Sequence, residues 1–513
     1  MSQSENPRRW WALAALVLAA LTLGFDITIL NVALPTIAGE LSAGTDVLQW
    51  IVNAYVLVLA GLMLTCGALG DRYGRKRLLL IGLVLFAASS AAATWATEAE
   101  VVIAARAVMG LGAAIILPVA FAVLPALFSA QERGRAVALV VLGTGVGIPL
   151  GPLIGGYLLE NFWWGSIFLI NVPMAIAAAL AIAALLPESR DPHPPRPDVA
   201  GGLLSTAGLV TLVYGIIEGP GRGWGDPLVV GALAVAAVTL TAFVMWELRT
   251  AEPMIDLRLF GKPQFLWGSI AGVLVTFGLL GMLFVVPQYL QLVVGFDAFE
   301  TGLRLLPMIG GLVIGAPTGE RLAARWGYRV PVALGLLVLT AGLAWGATTD
   351  LDTGYGVIAA WLAAVGVGIG LALSPAMDAV LGALPPERSG AGTAITMTLR
   401  QVGGALGVAL LGSLLAQAYD DRVEVPAGVP EPAADAARDS IAGALAVAAR
   451  IGDTALADSA RDAYLQGMTL VLLTTAAIAL LSAVLTAVLL PGRPTTAAEP
   501  AAQQAAADAT TSR

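Results

Sequence analysis

Gly67-Ala68-Leu69-Gly70-Asp71-Arg72-Tyr73-Gly74-Arg75-Lys76-Arg77 is a short charged hinge between two apolar runs, roughly 48–70 and 78–96. Each run is long enough, at about 1.5 Å per residue, to cross a hydrocarbon core about 30 Å thick. Inside lipid a backbone must bond to itself, so such runs are helices. A membrane β-barrel would show short alternating segments instead, and none occurs. The hinge therefore joins two membrane-spanning helices at a membrane face.

Working outward, the same pattern fills the chain. Spans are expected at roughly 10–34, 48–70, 78–96, 101–125, 136–159, 166–186, 202–218, 228–247, 265–289, 303–319, 330–347, 355–378, 392–416 and 467–490. Hydrophobic residues make up 58% of the chain and charged residues 12%, about half the charge of a soluble domain. The first run carries Arg8-Arg9 ahead of it but continues past Asp26 to Leu34 with no small-residue cleavage pattern, so it is taken as a span.

Arginine and lysine test this count independently, because loops on the cytoplasmic side retain positive charge. With the N-terminus inside, the cytoplasmic connections hold Arg72, Arg75, Lys76 and Arg77, then Arg133 and Arg135, then Arg190 and Arg196, then Arg249, Arg258 and Lys262, then Arg321, Arg325 and Arg329, then Arg388. The short outer loops hold only Arg222. The longer outer loop, 418–466, is rich in alanine and is expected to form surface helices on the outer face.

The hinge is also half of an internal repeat. Leu69-Gly70-Asp71-Arg72-Tyr73-Gly74-Arg75 recurs as Leu322-Ala323-Ala324-Arg325-Trp326-Gly327-Tyr328, and Glu132-Arg133 as Glu387-Arg388 at an offset differing by two residues. One repeat begins at span 1 and the other at span 9, which leaves spans 7 and 8 as an inserted pair.

Several chemistries drop out by absence. A phosphate-binding loop needs Gly-Lys-Ser or Gly-Lys-Thr, and neither Lys76 nor Lys262 stands in one. Cys66 is the one cysteine, which excludes an internal disulfide or a multi-cysteine metal site. His193, the one histidine, sits in a proline-rich connection. No cofactor, metal or nucleic-acid partner is expected, and an intramembrane hydrolase lacks a histidine at depth.

Asp26 is the most informative residue. An ionisable group at membrane depth is expensive and marks a pathway or a proton relay by default. Counted from the outer ends, Asp26 in span 1 lies about 12 Å deep and Arg106 in span 4 about 8 Å deep, so the two can share a level, either as a functional pair or as a plain ion pair between helices. In span 5, Gly143, Gly147, Gly151 and Gly155 recur at four-residue spacing and form a strip that lets a neighbouring helix approach closely, on a helix that Pro149 and Pro152 are expected to bend. Arg400 and Gln401 lie about 14 Å into span 13. Asn31, Asn53, Tyr55, Gln288, Tyr289, Arg400 and Gln401 are candidates for lining a substrate cavity.

These stretches carry a family resemblance. Gly67–Arg77 resembles the span 2–3 signature of the major facilitator superfamily. Arg106-Ala107-Val108-Met109-Gly110-Leu111-Gly112-Ala113-Ala114 is similar to its span 4 signature, with Met109 where glutamine is common. Gly143 to Gly156, with Gly151-Pro152 and Gly155-Gly156, resembles the antiporter signature of span 5, and the Asp26 segment resembles span 1 of the fourteen-span EmrB/QacA-type drug:proton antiporters. The resemblance covers essentially the whole chain.

It implies an all-α polytopic membrane protein with the major facilitator fold: two six-helix bundles plus two inserted spans. The layout would be a cytoplasmic N-terminus (1–9), an N-terminal bundle (10–186), linkers with the inserted spans (187–264), a C-terminal bundle (265–490) and a disordered cytoplasmic tail (491–513). The protein would be no enzyme but a proton-coupled antiporter of the cell (inner) membrane, both termini cytoplasmic, exporting small amphiphilic drugs or antibiotics. Asp26 would exchange a proton, with Arg106 tuning it. Gly67, Asp71, Arg72, Gly74 and Arg75 would gate the conformational change, Asp71 by bonding across the two bundles. With Asp26 committed to the proton, monovalent cations or neutral lipophiles are expected to be preferred over divalent cations. The alternatives are a same-fold exporter of an endogenous metabolite, lipid or amino acid, and a non-transporting membrane receptor.

Overall fold

The computed structural model describes residues 8–190, 197–250, 253–384 and 389–492. His193, Arg196, Glu387, Arg388 and the tail from 493 lie outside the described residues. Among those described there are fourteen helices long and apolar enough to cross a membrane. They are numbered here α1 (Arg8–Glu40), α2 (Thr45–Tyr73), α3 (Arg75–Thr94), α4 (Ala99–Leu127), α5 (Ala130–Asn161), α6 (Asn171–Leu185), α7 (Val199–Arg222), α8 (Pro227–Arg249), α9 (Pro263–Gln288), α10 (Leu306–Trp326), α11 (Arg329–Gly346), α12 (Tyr355–Gly382), α13 (Ser389–Asp420) and α14 (Thr454–Leu489). Short helices at Ser166–Leu169 and Ala298–Arg304 lead into α6 and α10.

The helix ends carry local signals. Asp198, Asp226 and Asp453 cap α7, α8 and α14, each carboxylate accepting from one or two first-turn amides. At the hinge, Gly74 takes φ +116° and its N–H closes onto the Gly70 carbonyl. Its repeat counterpart Gly327 also has positive φ, +79°. This conformation is strained for any residue with a Cβ, which explains a glycine in both copies where the acid survives in only one.

The repeat seen in the sequence is reproduced in the packing. In the first bundle α1 packs on α5, α2 on α4, α3 on α4, and α6 on α1 and α3; eight helices later α9 packs on α13, α10 on α12, α11 on α12, and α14 on α9 and α11. The inserted α7 and α8 pack on each other, and α7 wedges between α2 and α13, touching both bundles. α8 is mostly unburied along its apolar window and presents Val230, Val235, Val238, Val244 and Leu248 outward, as a helix apolar all round does when lipid covers it.

The basic connections gather at one end. Arg9 pairs with Glu132 at 2.9 Å. The amides of Lys76 and Arg77 donate to Glu188, Lys262 donates to the Ala383 carbonyl, and Arg329 to that of Leu490. A slip in the span count would have scattered these groups over both ends. At the opposite face, the long loop after α13 forms helices Glu431–Asp439 and Ile441–Ile451. Tyr419 ties the first down through the Ala437 carbonyl, and Thr45 of α2 through that of Asp439.

The bundles meet toward that opposite face. Gln49 donates to the Val408 and Ala409 carbonyls, and Gln291 to the Val32 carbonyl. Gly156 abuts Ala298 and Phe299, and Gly302 abuts Pro152. In α9 and the turn after it, all residues from Val275 to Leu290 except Leu279 are buried, whereas Leu266, Trp267, Ile270, Val273 and Leu274 are partly exposed. α2 shows the same change near Leu62. The bundles are thus closed at the opposite face and part toward the basic face.

Candidate functional site

Asp26 is fully buried in α1, where an uncompensated charge would be very costly. One carboxylate oxygen accepts from Arg106 Nη1 of α4 at 2.6 Å and the other from Asn171 Nδ2 of α6 at 2.8 Å. Arg106 is itself 1% exposed. Its Nε donates to the Ile51 carbonyl of α2 at 3.2 Å, and its guanidinium carbon lies 4.4 Å from the centroid of the Tyr55 ring, within cation–π range. One ion pair therefore ties four helices of the first bundle together.

Asn171 was not among the sequence candidates, although an amide in an apolar run was the available signal. It also sits 3.4 Å from Ser90 Oγ, which in turn donates to the Met109 sulfur at 3.7 Å. Methionine thus still accepts a bond where glutamine is common in the resembling signature.

The glycine strip positions Asp26. A Cβ at Gly147 would strike the backbone of Leu21, Gly24 and Phe25, and one at Gly151 the backbone of Phe25 and Ile29 and the Thr28 hydroxyl. Gly143 abuts Val17, and Gly155 abuts Ile29. α5 and α1 therefore touch backbone to backbone along the segment that holds Asp26. α5 runs as one helix through Pro152; the Pro149 side chain lies outside those described. Gly156 belongs to the contact between bundles. The repeat has its own strip, since Gly403 and Gly407 of α13 abut the Val273 and Phe277 carbonyls of α9.

The resemblance implies that Asp71 stabilises one state by bonding across the bundles, and the structure shows the state in which the basic face is parted. Asp71 pairs with Arg75, four residues on, at 2.8 Å, and not across the bundles. Arg72 lies over the Tyr73 ring. Gly67 approaches Pro118, and Gly74 leaves room for the Glu188 carboxylate. The physical reason is the parting at the basic face, which holds the second bundle away from Asp71.

Of the cavity candidates, the structure brings Asn31 and Tyr55 together with Arg106. Along with Ile27, Val52, Val56, Leu280 and Val408 they line a small cavity of about 10 Å³ between the bundles, room for one water. The Tyr55 hydroxyl has no partner there. Asn53 is buried with both amide atoms unpaired, outside this lining. Gln288 bonds within its own helix, to the Phe284 carbonyl, and Tyr289 is buried beside it at the closed end. Arg400 lies on α13 against α9, with Gln401 partly exposed beside it. Asp378 is elsewhere, in a recess at the basic face with Glu320, Arg325 and Tyr328.

Residues 16–408 match the Major Facilitator Superfamily. The chain belongs to that superfamily. It is 34% identical over 416 residues to the tetracenomycin C resistance and export protein of Streptomyces glaucescens, covering 81% of this chain and 77% of that one. It is 35% identical over 477 residues to the multidrug efflux pump LfrA of Mycolicibacterium smegmatis, covering 91% and 94%. A solved bacterial homologue of the human lysosomal transporter Spinster shares the fold, with a TM-score of 0.68 at 17% identity over 96% of this chain and all of that one. This superfamily member is a multi-pass membrane transport protein, not an enzyme, and its relatives are resistance and efflux proteins.

Proposed function

We propose that this chain exports small amphiphilic compounds, drugs or antibiotics, in exchange for protons, by alternating access across the cell membrane with its basic face cytoplasmic. The observation that carries this reading is the buried Asp26–Arg106 pair at the closed end of the gap between the bundles, with Arg106 itself lining the small cavity there. Protonating Asp26 would replace an ion pair by a neutral acid beside a cation held by the Ile51 carbonyl and the Tyr55 ring. An ion pair broken from one side is strongly destabilised, so proton loading weakens the tie between α1 and α4. α1 is also the helix that α5 grips and that meets the turn after α9 through Gln291, so the change is delivered to the contact between bundles.

The small-molecule cargo and the direction agree with the export and resistance proteins this chain is similar to. The test is flux in inside-out vesicles with an imposed pH gradient. Wild type should accumulate a substrate only with the interior acidic, and Asp26→Asn should abolish this at equal expression. Wild-type flux in Asp26→Asn would remove Asp26 from the mechanism. Saturable binding with no flux in either protein would favour a receptor.

A further inference from the structure

Within the spans read from the sequence, Asp26, Arg106 and Arg400 are the charged side chains more than one turn from either end. Their arrangement is unequal. Each oxygen of the Asp26 carboxylate accepts one bond, from Arg106 and from Asn171. Arg400 has no carboxylate within salt-bridge distance among the described residues. Its Nε donates to the Thr276 hydroxyl at 3.1 Å, and that hydroxyl donates to the Gly272 carbonyl at 2.9 Å. The Arg400 stem lies against Gly272 of α9, where a Cβ would meet it at 3.7 Å, an ordinary contact. Thr276 therefore orients the guanidinium through one nitrogen and leaves both terminal nitrogens without a partner among the described residues.

Arg400 is not turned toward lipid. α13 is flanked by α2, α7, α9 and α14, and Arg400 falls in the partly exposed stretch Leu399–Val402 of its basic half. Thr276 is one turn from Leu280, which lines the small cavity with Tyr55 and Val408. Arg400, held by Thr276, thus stands about one helical turn to the basic side of that cavity. Glu320 and Asp378 of the second bundle line a separate recess at the basic face.

From this we infer that Arg400 is an anion-binding residue, and that the cargo is an amphiphile with an apolar body and a single anionic head, a carboxylate or an acidic phenolate. A guanidinium with two free terminal nitrogens matches such a head bidentately. A cation would meet a gap that holds one uncompensated positive charge and no free carboxylate. The apolar body would lie against Ile27, Val52, Val56 and Leu280, with the unpaired Tyr55 hydroxyl as a further donor. This rests on the export reading above, and departs from the sequence expectation that monovalent cations or neutral lipophiles are preferred.

Three probes separate the ideas: 1-anilinonaphthalene-8-sulfonate, its neutral counterpart N-phenyl-1-naphthylamine, and the monocation ethidium. Each is titrated into the purified full-length protein in nanodiscs without anionic lipid. Wild type should bind the sulfonate about tenfold more tightly than either other probe. Arg400→Gln should lose that factor for the sulfonate alone, Arg400→Lys should keep part of it, and Thr276→Val should weaken the sulfonate by a few-fold. Ethidium bound more tightly than the sulfonate, or equal loss of all three probes in a folded Arg400→Gln, would overturn the inference; should that variant not fold, the wild-type ranking decides. Selective sulfonate binding without pH-driven flux would sink the export reading and leave the site. Ethidium flux that depends on Asp26, without sulfonate binding, would do the reverse.

Discussion

Asp26 of α1 and Arg106 of α4 meet at 2.6 Å with both side chains almost wholly buried. Neither could stand there alone, because an unpaired buried charge typically costs on the order of 3–5 kcal/mol. Arg106→Ala is expected to lower the thermal stability of the purified protein by about that amount. Asp26→Asn combined with Arg106→Gln should recover much of the loss, because neither charge is then stranded. Additive losses in calorimetry would show that the pair is not coupled.

Asn171 supplies the second bond to the Asp26 carboxylate. A hydrogen bond to a charged group contributes about 1.5–3 kcal/mol, so Asn171→Ala should destabilise by roughly that much and Asn171→Leu by no less. Pairing this change with Asp26→Asn should reveal a coupling energy. If Asn171→Ala melts like wild type, the amide is a bystander.

Gly147 and Gly145 lie two residues apart and should respond in opposite ways. A Cβ at Gly147 meets backbone of α1, whereas one at Gly145 meets nothing within 4 Å. Gly147→Ala is expected to impair folding or flux and Gly145→Ala to be neutral. Gly208 abuts the Leu240 and Thr239 side chains, which can shift, so Gly208→Ala should fall between. Equal tolerance at Gly145 and Gly147 in a flux assay would contradict a backbone contact.

Asp439 caps the opposite face, outside the spans. Partial burial raises its carboxyl above the usual range, and Asp46, Asp435 and Asp420 push the same way. A carboxyl raised in the folded state binds protons more readily there than in the unfolded chain. Its stabilising contribution is therefore complete below the ordinary carboxylate value of about 4 and is lost as pH rises through the raised folded value. Exchange protection of Glu431–Asp439, corrected for the intrinsic pH dependence of amide exchange, should be greater at pH 4 than at pH 7, and Asp439→Asn should flatten that difference. An unchanged pH response in the variant would assign the effect to another group.

Much of the architecture was legible in the chain because span length, loop charge and the repeat are local properties, each set by the thickness and polarity of the bilayer. The fourteen spans, the basic face and the pairing of Asp26 with Arg106 follow from residues within a few turns of a helix end. The glycine strip was legible for the same reason, since four-residue spacing marks a face without reference to what meets it. What meets it was decided by tertiary structure. The rotation of α6 brings Asn171 to Asp26, the parting at the basic face leaves Asp71 with Arg75, and the closure at the other face buries Gln288 and Tyr289. The wedge of α7 between α2 and α13 and the unpaired state of Arg400 were equally beyond the sequence. The choice of partner for a polar side chain depends on how two distant helices are turned and spaced, and that is settled only when all of them pack together.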